Sequence, residues 1–315
     1  MIRGWVVQAG SLSWQPLQRG PLASDWAECE PVLVGICGTD LQLLQGYAGF
    51  SGVPGHEFVA RIVDCSQSQR LGQLVVGDIN VGCGGCAGCL QGDARHCPDR
   101  RVLGIRALDG AMAERFRLPL ANLYNAEGLP AESSVFAEPL AAALEVVDLI
   151  PPQQEVLLVG AGRLGALIAL VLQGRNPLVL CARSSRRRQR LEGLGFQVLP
   201  PEALKSGWPY LVEASGSPSG LETALRVAAP GATVVVKSTW AGAQALELSP
   251  LVVNCLRLVG SRCGSIPRAL QALRQGLDPR PLIERVFSME ELPEALQQPG
   301  FKSLLRGSGS GAESR

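Results

Sequence analysis

Apolar residues recur with two different rhythms along the chain. Up to about residue 143 they come in short runs cut by Gly and Pro, as in "GWVVQAG", "CEPVLVGICGTD", "GHEFVARIVDC" and "GQLVVGDINVG". Short strands between turn signals predict a β-rich, barrel-like domain over 1–143. From 144 the rhythm changes. "QEVLLVGAGRLGALIALVLQG" reads as strand, glycine turn and helix, and "PLVLCARSSRRRQRLEGLG" as strand then helix. "WPYLVEASGSPSGLETALRVAAP" and "GATVVVKSTWAG" repeat the unit, and "CLRLVGSRCG" ends it. Alternating strands and helices predict an α/β domain over 144–262, with a parallel sheet and right-handed crossovers. Runs such as "EVLLVG" and "TVVVK" suit strands covered on both faces. Beyond 263, "IPRALQALRQGL" predicts a helix and "PLIERVFSMEELPEALQQ" a strand and a helix. "FKSLLR" predicts a last strand returning to the first domain, so 263–315 belongs with 1–143. The final residues, from about 307, read as a disordered tail.

Length and charge narrow the classes. A chain of 315 residues is long for one core, which agrees with two domains. The formal net charge is +1, so no global attraction to nucleic acid or membrane is expected. The start, "MIRGWVVQAG", lacks the pattern of a signal peptide. The window 156–172 is apolar enough to suggest a membrane span, but it is short and carries Arg163 and three glycines. A buried strand, a turn and a helix explain it better.

Ten cysteines without an export signal point to a reducing, cytoplasmic compartment. Four of them, Cys83, Cys86, Cys89 and Cys97, fall in "CGGCAGCLQGDARHC". A disulfide knot does not persist in that compartment, and a redox pair needs only one C-x-x-C. Four soft thiolates fit one closed, tetrahedral and therefore structural Zn²⁺ site, in a lobe spanning 82–98. His96 reads as a surface residue. Cys29, Cys65, Cys181, Cys255 and Cys263 read as small buried hydrophobes.

"VGAGRLGAL" places Gly160, Gly162 and Gly165 in G-x-G-x-x-G spacing, after an apolar strand and at the head of a helix. That context predicts a dinucleotide site on the loop Gly160, Gly162, Arg163, Leu164 and Gly165, with the pyrophosphate at the helix N-terminus. At the end of the next strand an NAD site carries Asp or Glu for the ribose 2′-OH. Here Ala182 stands in that place and Arg183 follows, with Arg186 and Arg187 close by. No carboxylate repels a 2′-phosphate, and guanidinium groups can bind it, so NADP(H) is expected in preference to NAD(H). The alternative is a solvated basic helix start.

Three further motifs offer metal donors: Cys37, Thr39 and Asp40 in "GICGTD", His56 and Glu57 in "PGHEF", and Glu138 in "AEPLAAALE". Cys, His and carboxylate all ligate zinc, and three protein ligands leave a place for water or substrate. Each motif alone is weak, because a lone Cys or His is more often packing. Taken in order, "GICGTD", "GHE", the C-x2-C-x2-C-x7-C run, "EPL" and "VGAGRLG" resemble the zinc-containing medium-chain dehydrogenase/reductase family, from about residue 29 to 306.

The resemblance implies a GroES-like β-barrel catalytic domain plus a doubly wound Rossmann domain. It implies that Cys37, His56 and Glu138 bind a catalytic zinc, in addition to the four-cysteine zinc. Glu57 would be an outer carboxylate or an occasional ligand, Asp40 would orient a ligand, and Thr39 would carry the hydroxyl proton. Glutamate at 138 resembles the polyol and sugar dehydrogenase branch. The implied reaction interconverts a secondary alcohol, polyol or sugar with its ketone or aldehyde, with zinc polarising the oxygen and hydride passing to or from nicotinamide. A homodimer or homotetramer is implied by resemblance alone.

The pattern is not followed everywhere. Many relatives have a histidine soon after "TD", whereas this chain has Gln42, so the proton route ends elsewhere. Tyr47 and Phe50 are candidate pocket walls. Lys237, Thr239 and Arg262 are candidate neighbours of the nicotinamide. Three rival readings remain: a zinc-free enone or quinone reductase, a zinc-stabilised nucleotide-binding sensor without turnover, and a nucleic-acid-binding zinc protein. The open-site ligands oppose the first two and the net charge opposes the third.

Overall fold

The chain opens on a hairpin. Strands β1 (Arg3–Gln8) and β2 (Ser11–Pro16) pair antiparallel around Ala9 and Gly10, both in the left-handed region that a tight hairpin turn requires. The computed structural model describes residues 2–240, 245–298 and 300–307, so the tail expected beyond 307 lies outside the described residues. Two compact units emerge, one from Met1–Glu138 and Ser265–Arg315, the other from Pro139–Gly264.

Strand β3 (Trp26–Gly35) is the spine of the first unit. Helix α1 (Gly38–Leu44) follows it, then β4 (Glu57–Cys65) and β5 (Leu74–Gly77). Strands β6 (Asn80–Val81) and β7 (Arg101–Val102) pair antiparallel and bracket the four-cysteine segment, which contains the one-turn helix α2 (Ala87–Leu90). Strands β8 (Phe116–Pro119) and β9 (Leu123–Asn125) and helix α3 (Ala131–Ser134) end this passage.

Helix α4 (Ala137–Leu144) follows, and the second unit then alternates as the apolar runs predict. Its strands are β10 (Val156–Val159), β11 (Leu178–Cys181), β12 (Gln197–Leu199), β13 (Trp208–Glu213), β14 (Ala228–Val236) and β15 (Arg257–Gly260). Helices α5 (Arg163–Leu172), α6 (Ser185–Glu192), α7 (Pro218–Val227) and α8 (Ser249–Val253) lie between them. All strand pairs are parallel, in the order β12-β11-β10-β13-β14-β15. This is a doubly wound sheet whose strand order reverses beside β10, where ligands of such sheets bind. The apolar window 156–172 is therefore β10, a turn and α5, and no described helix is long and apolar enough to cross a membrane.

The chain then returns through α9 (Ile266–Arg274), β16 (Ile283–Ser288), α10 (Leu292–Leu296) and β17 (Lys302–Arg306). The "FKSLLR" strand joins the first unit, with Leu304 opposite Gly35 of β3. The resulting sheet runs β16-β17-β3-β4-β5-β9, with β8 paired to the start of β3. Phe58 and Phe116 meet edge to face in its core with ring centroids 4.6 Å apart. The Trp5 indole N–H donates to the Met289 carbonyl at 2.7 Å, tying the first strand to the returning segment. Glu28 is buried in β3, and Arg19, Arg115 and Arg117 reach its carboxylate at 3.3, 3.4 and 3.1 Å.

The free cysteines are less uniform than their sequence suggests. Cys29 and Cys181 are buried, the Cys29 thiol being pushed up to about 12 by that burial, but Cys65 and Cys263 are half-buried and Cys255 is exposed. Cys255 stands in a turn with φ +51°, where its backbone role outweighs its apolar character. Phe50 packs into a small core with Val7 and Leu43, whereas Tyr47 lies on the surface.

Candidate functional site

Local chemistry explains how "GICGTD" is folded. Cys37 is the N-cap of α1, and Asp40, three residues on, accepts the Cys37 backbone N–H at 2.8 Å through Oδ2. This reciprocal cap fixes the turn and holds Asp40 fully inside. The other carboxylate oxygen, Oδ1, lies 3.5 Å from His56 Nδ1. The Cys37 thiol faces the Thr39 hydroxyl at 3.7 Å. His56 precedes β4, and Gly55 before it adopts φ +99°, where a Cβ would strike Met112.

Cys37, His56 and Glu57 thus come together: one ligand atom from each lies within 4.8 Å of the other two. Burial alone would lower the His56 pKa, but the Asp40 carboxylate and the Cys37 thiol outweigh it and hold it well above the usual histidine value. Those two groups therefore favour positive charge in this spot, as a proton or as a metal ion. Asp40 Oδ1 and His56 Nδ1 are buried and make no ordinary hydrogen bond. A soft thiol, an imidazole and a carboxylate around such a spot fit a zinc ion, with Asp40 behind the imidazole as the orienting carboxylate.

Glu138, the second residue of α4, is not within that mutual distance. Its carboxyl nevertheless belongs to the same neighbourhood. Burial pushes it up to about 7, with the Glu57 and Asp78 carboxylates adding to the rise and His56 and Lys302 opposing it. A carboxyl whose pKa burial has raised is one that a nearby cation would ionise. Glu57 itself is fully buried and forms an ion pair with Lys302 of β17.

The second donor cluster is Cys83, Cys86, Cys89 and Cys97, also mutually within 4.8 Å. All four are free thiols. Gly82 makes the approach possible, because a Cβ there would overlap Cys89 Sγ. The backbone N–H groups of Gly85 and Cys86 aim at the Cys83 sulfur and bring that thiol down to about 7. The Gly84 N–H acts the same way on Cys89, but burial and the three neighbouring thiols win and raise it to about 11. Thiols crowded so closely share few protons, which suits a closed metal site. His96 is exposed beside them.

In the second unit, the loop after β10 and the starts of α5, α6 and α7 line a cavity of about 400 Å³. Its wall includes Gly160, Gly162, Ala182, Arg183, Arg187, Ser217, Ser219 and Thr223. The three glycines have distinct reasons. A Cβ on Gly160, which sits at φ +96°, would strike the backbone of Ser215, and a Cβ on Gly165 would strike the Gly160 carbonyl. Gly162 meets nothing within 4 Å, so packing within the chain does not require glycine there. The close approach of a ligand such as a pyrophosphate would require it. Among the described residues, the Arg163 Nε is buried without a hydrogen-bond partner at the same helix start, which again suits an anion. Leu164 is half-buried beside it. Ala182 is buried, while Arg183 and Arg187 are exposed on the rim.

Two of the residues expected near the nicotinamide have partners of their own within the chain. The Lys237 ammonium donates to the Ala142 carbonyl at 2.8 Å and to Ser261 Oγ at 3.0 Å, and Arg262 reaches Cys263 Sγ at 3.7 Å. Other residues escaped the sequence reading. Ser215, Ser217 and Ser219 form a chain of hydroxyls 3.0 and 3.2 Å apart along the cavity wall. The "SGSPS" run after an apolar strand was the available signal. Lys302 had none, because its partner is defined only by strand register.

Comparison with known proteins agrees with this anatomy. A family model for the alcohol dehydrogenase GroES-like domain matches residues 24–128. D-arabinitol dehydrogenase 1 of Uromyces fabae is 26% identical over 303 residues, covering 87% of this chain and 86% of its own. A structure from Sinorhizobium meliloti 1021, assigned as a zinc-binding dehydrogenase and bound to NADP, superimposes with a TM-score of 0.88 at 25% identity, over 97% of this chain and 99% of that one. An alcohol dehydrogenase from Escherichia coli CFT073, complexed with NADH, shares the fold with a TM-score of 0.86 at 24% identity, over 97% and 99% of the two chains.

Proposed function

Because this chain belongs to the medium-chain dehydrogenase/reductase family and is an oxidoreductase of that kind, we propose that it is a zinc-dependent dehydrogenase that interconverts a secondary alcohol, polyol or sugar with its ketone or aldehyde, preferring NADP(H). In this reading 1–143 with 263–315 is the catalytic domain and 144–262 binds the dinucleotide. The observation that carries it is the meeting of Cys37, His56 and a carboxylate with Asp40 behind the imidazole. A zinc-free reductase has no use for such a set.

Cys37, His56 and Glu138 would hold the catalytic ion, and Cys83, Cys86, Cys89 and Cys97 a structural one. When bound, zinc supplies Lewis acidity at the substrate oxygen and the nicotinamide supplies or accepts hydride. The rest is done by the chain. Asp40 fixes Cys37 through its backbone and His56 through its ring. Thr39, beside the Cys37 sulfur, offers the hydroxyl that takes or returns the substrate proton. Gln42 cannot relay that proton by titrating, so it leaves through another group or water. Gly162 admits the pyrophosphate, and Arg183 with Arg187 on the rim of the cavity supplies the charge for a 2′-phosphate.

The deciding experiment is an assay of polyols, sugars and aldehydes with NADP(H) and NAD(H), followed at the nicotinamide absorbance. Turnover of at least one alcohol–carbonyl pair, faster with NADP(H), is expected. A protein that binds dinucleotide but turns over none of the panel fits a sensor instead.

A further inference from the structure

We propose that Arg188 is a positioning residue of the dinucleotide site. It ties down the link 182–184 between β11 and α6 and so holds Arg183 where a 2′-phosphate binds, an inference that rests on the proposed preference for NADP(H). The run "RSSRRRQR" offers five guanidinium groups over 183–190, and the fold separates them. Arg183, Arg186, Arg187 and Arg190 are exposed, whereas Arg188 is half-buried. The cavity wall includes Arg183 and Arg187 but not Arg188.

The Arg188 side chain turns back along the polypeptide instead. Its Nη1 donates to the Ala182 carbonyl at 3.0 Å and to the Arg183 carbonyl at 2.7 Å. Its backbone N–H donates to the Ser184 carbonyl at 3.0 Å. Three consecutive carbonyls therefore answer to one residue. The sheet fixes one end of the link: the Cys181 carbonyl accepts the Gly160 N–H, and the Ala182 N–H donates to the Leu199 carbonyl, both at 3.0 Å. The Ser184 hydroxyl, capping α6 by accepting the Arg187 N–H, fixes the other. Arg188 closes the span between them, on the backbone of Arg183 itself.

Charge makes this placement informative. Helix α6 carries no acid in its first turn. A helix start is the positive end of its dipole, where cations are unfavourable. The two carbonyl oxygens offset that cost for the Arg188 guanidinium. Around it remains a rim of like charges that a phosphate would neutralise. Binding a phosphate through Arg183 is stronger if the backbone beneath that residue is already ordered, because the ordering cost is then met in folding.

The test uses the full-length protein and two probes that differ by one group, adenosine 2′,5′-bisphosphate and 5′-AMP, titrated by calorimetry. Wild type should bind the bisphosphate more tightly. Equal affinities, or no binding, would refute the NADP(H) reading and this one with it, before any variant is made. Arg188→Met should weaken the bisphosphate about tenfold, the loss expected for Arg183 itself, and change 5′-AMP within about twofold. In an Arg183→Ala background, Arg188→Met should cost less than about twofold more, because losses that act through one group do not add. An unchanged preference in Arg188→Met, or an equal loss on both probes, would overturn the proposal. So would full additivity with Arg183→Ala, which would give Arg188 a phosphate contact of its own. If Arg188→Met does not fold, NMR of the wild-type guanidinium groups decides. The bisphosphate should shift the Arg183 signals and leave those of Arg188 in place; a comparable shift at Arg188 would overturn the proposal.

Discussion

His56 Nδ1 and Asp40 Oδ1 lie 3.5 Å apart, both buried, while the other oxygen of the same carboxylate holds the Cys37 N–H at 2.8 Å. One side chain therefore positions both Cys37 and His56, two donors of the proposed metal site. Asp40→Asn keeps the shape of the cap but removes the charge behind the imidazole. Metal retention in a chelator competition should fall about 10- to 100-fold, with little change in melting temperature. Equal retention would show that His56 is not a ligand.

Elemental analysis of the purified protein should find two zinc ions per chain. Cys37→Ala should retain one and lose turnover. Cys97→Ser, which alters the one fully buried cysteine of the lobe, should lose the other ion and loosen 82–98 to proteolysis. A single ion that survives Cys37→Ala would remove the catalytic centre.

Glu138→Ala should abolish turnover while leaving the melting temperature near wild type. Its carboxyl, raised to about 7 by burial, opposes folding as it ionises, so alanine removes no stabilising charge. Full activity would mean that the third ligand lies elsewhere.

Arg183→Ala should weaken NADPH binding about tenfold or more, the worth of one charge-assisted hydrogen bond, and change NADH binding within about twofold. Arg187→Ala should act in the same direction. Equal losses for both cofactors, measured by fluorescence titration, would place the 2′-phosphate elsewhere.

Glu28 gives the fold its own acid sensitivity. Burial would raise its pKa, but Arg117, Arg19 and Arg115 outweigh burial and bring it below the usual 4.5. A lowered carboxylate stabilises the fold above its unfolded-state value, and the contribution is lost as pH falls through the lower native value. Glu28→Gln should therefore cost about 1.5–3 kcal/mol near neutrality, the worth of hydrogen bonds to a charged group, and flatten the stability curve below pH 4.5. Denaturant titrations at pH 3.5 and pH 7 check it; an undiminished slope would assign acid loss to other groups.

What could be read from sequence was what local rules govern. The fingerprint loop was legible because strand, glycine spacing and helix are contiguous, and "GICGTD" because its cap closes over three residues. The sheet alternation of the second unit followed from apolar run length. Pairings across the sheet were not legible. The three arginines of Glu28 come from positions 19, 115 and 117, and Lys302 finds Glu57 only through the register of three strands. The resemblance leaves Glu57 either an outer carboxylate or an occasional ligand, and it stands nearer to Cys37 and His56 than Glu138 does, because it leads β4 directly out of His56. Cys255 read as a buried thiol because residue type says nothing of a turn that presents it outward.

The fingerprint glycines divide labour in a way a geneticist can use. Positions 160 and 165 answer to the chain's own backbone, so enlarging them damages the scaffold. Position 162 meets no such obstacle among the described residues. Gly162→Ala should yield a normally assembled molecule that is blind to dinucleotide, a separation-of-function allele in which any duty unrelated to redox turnover would persist.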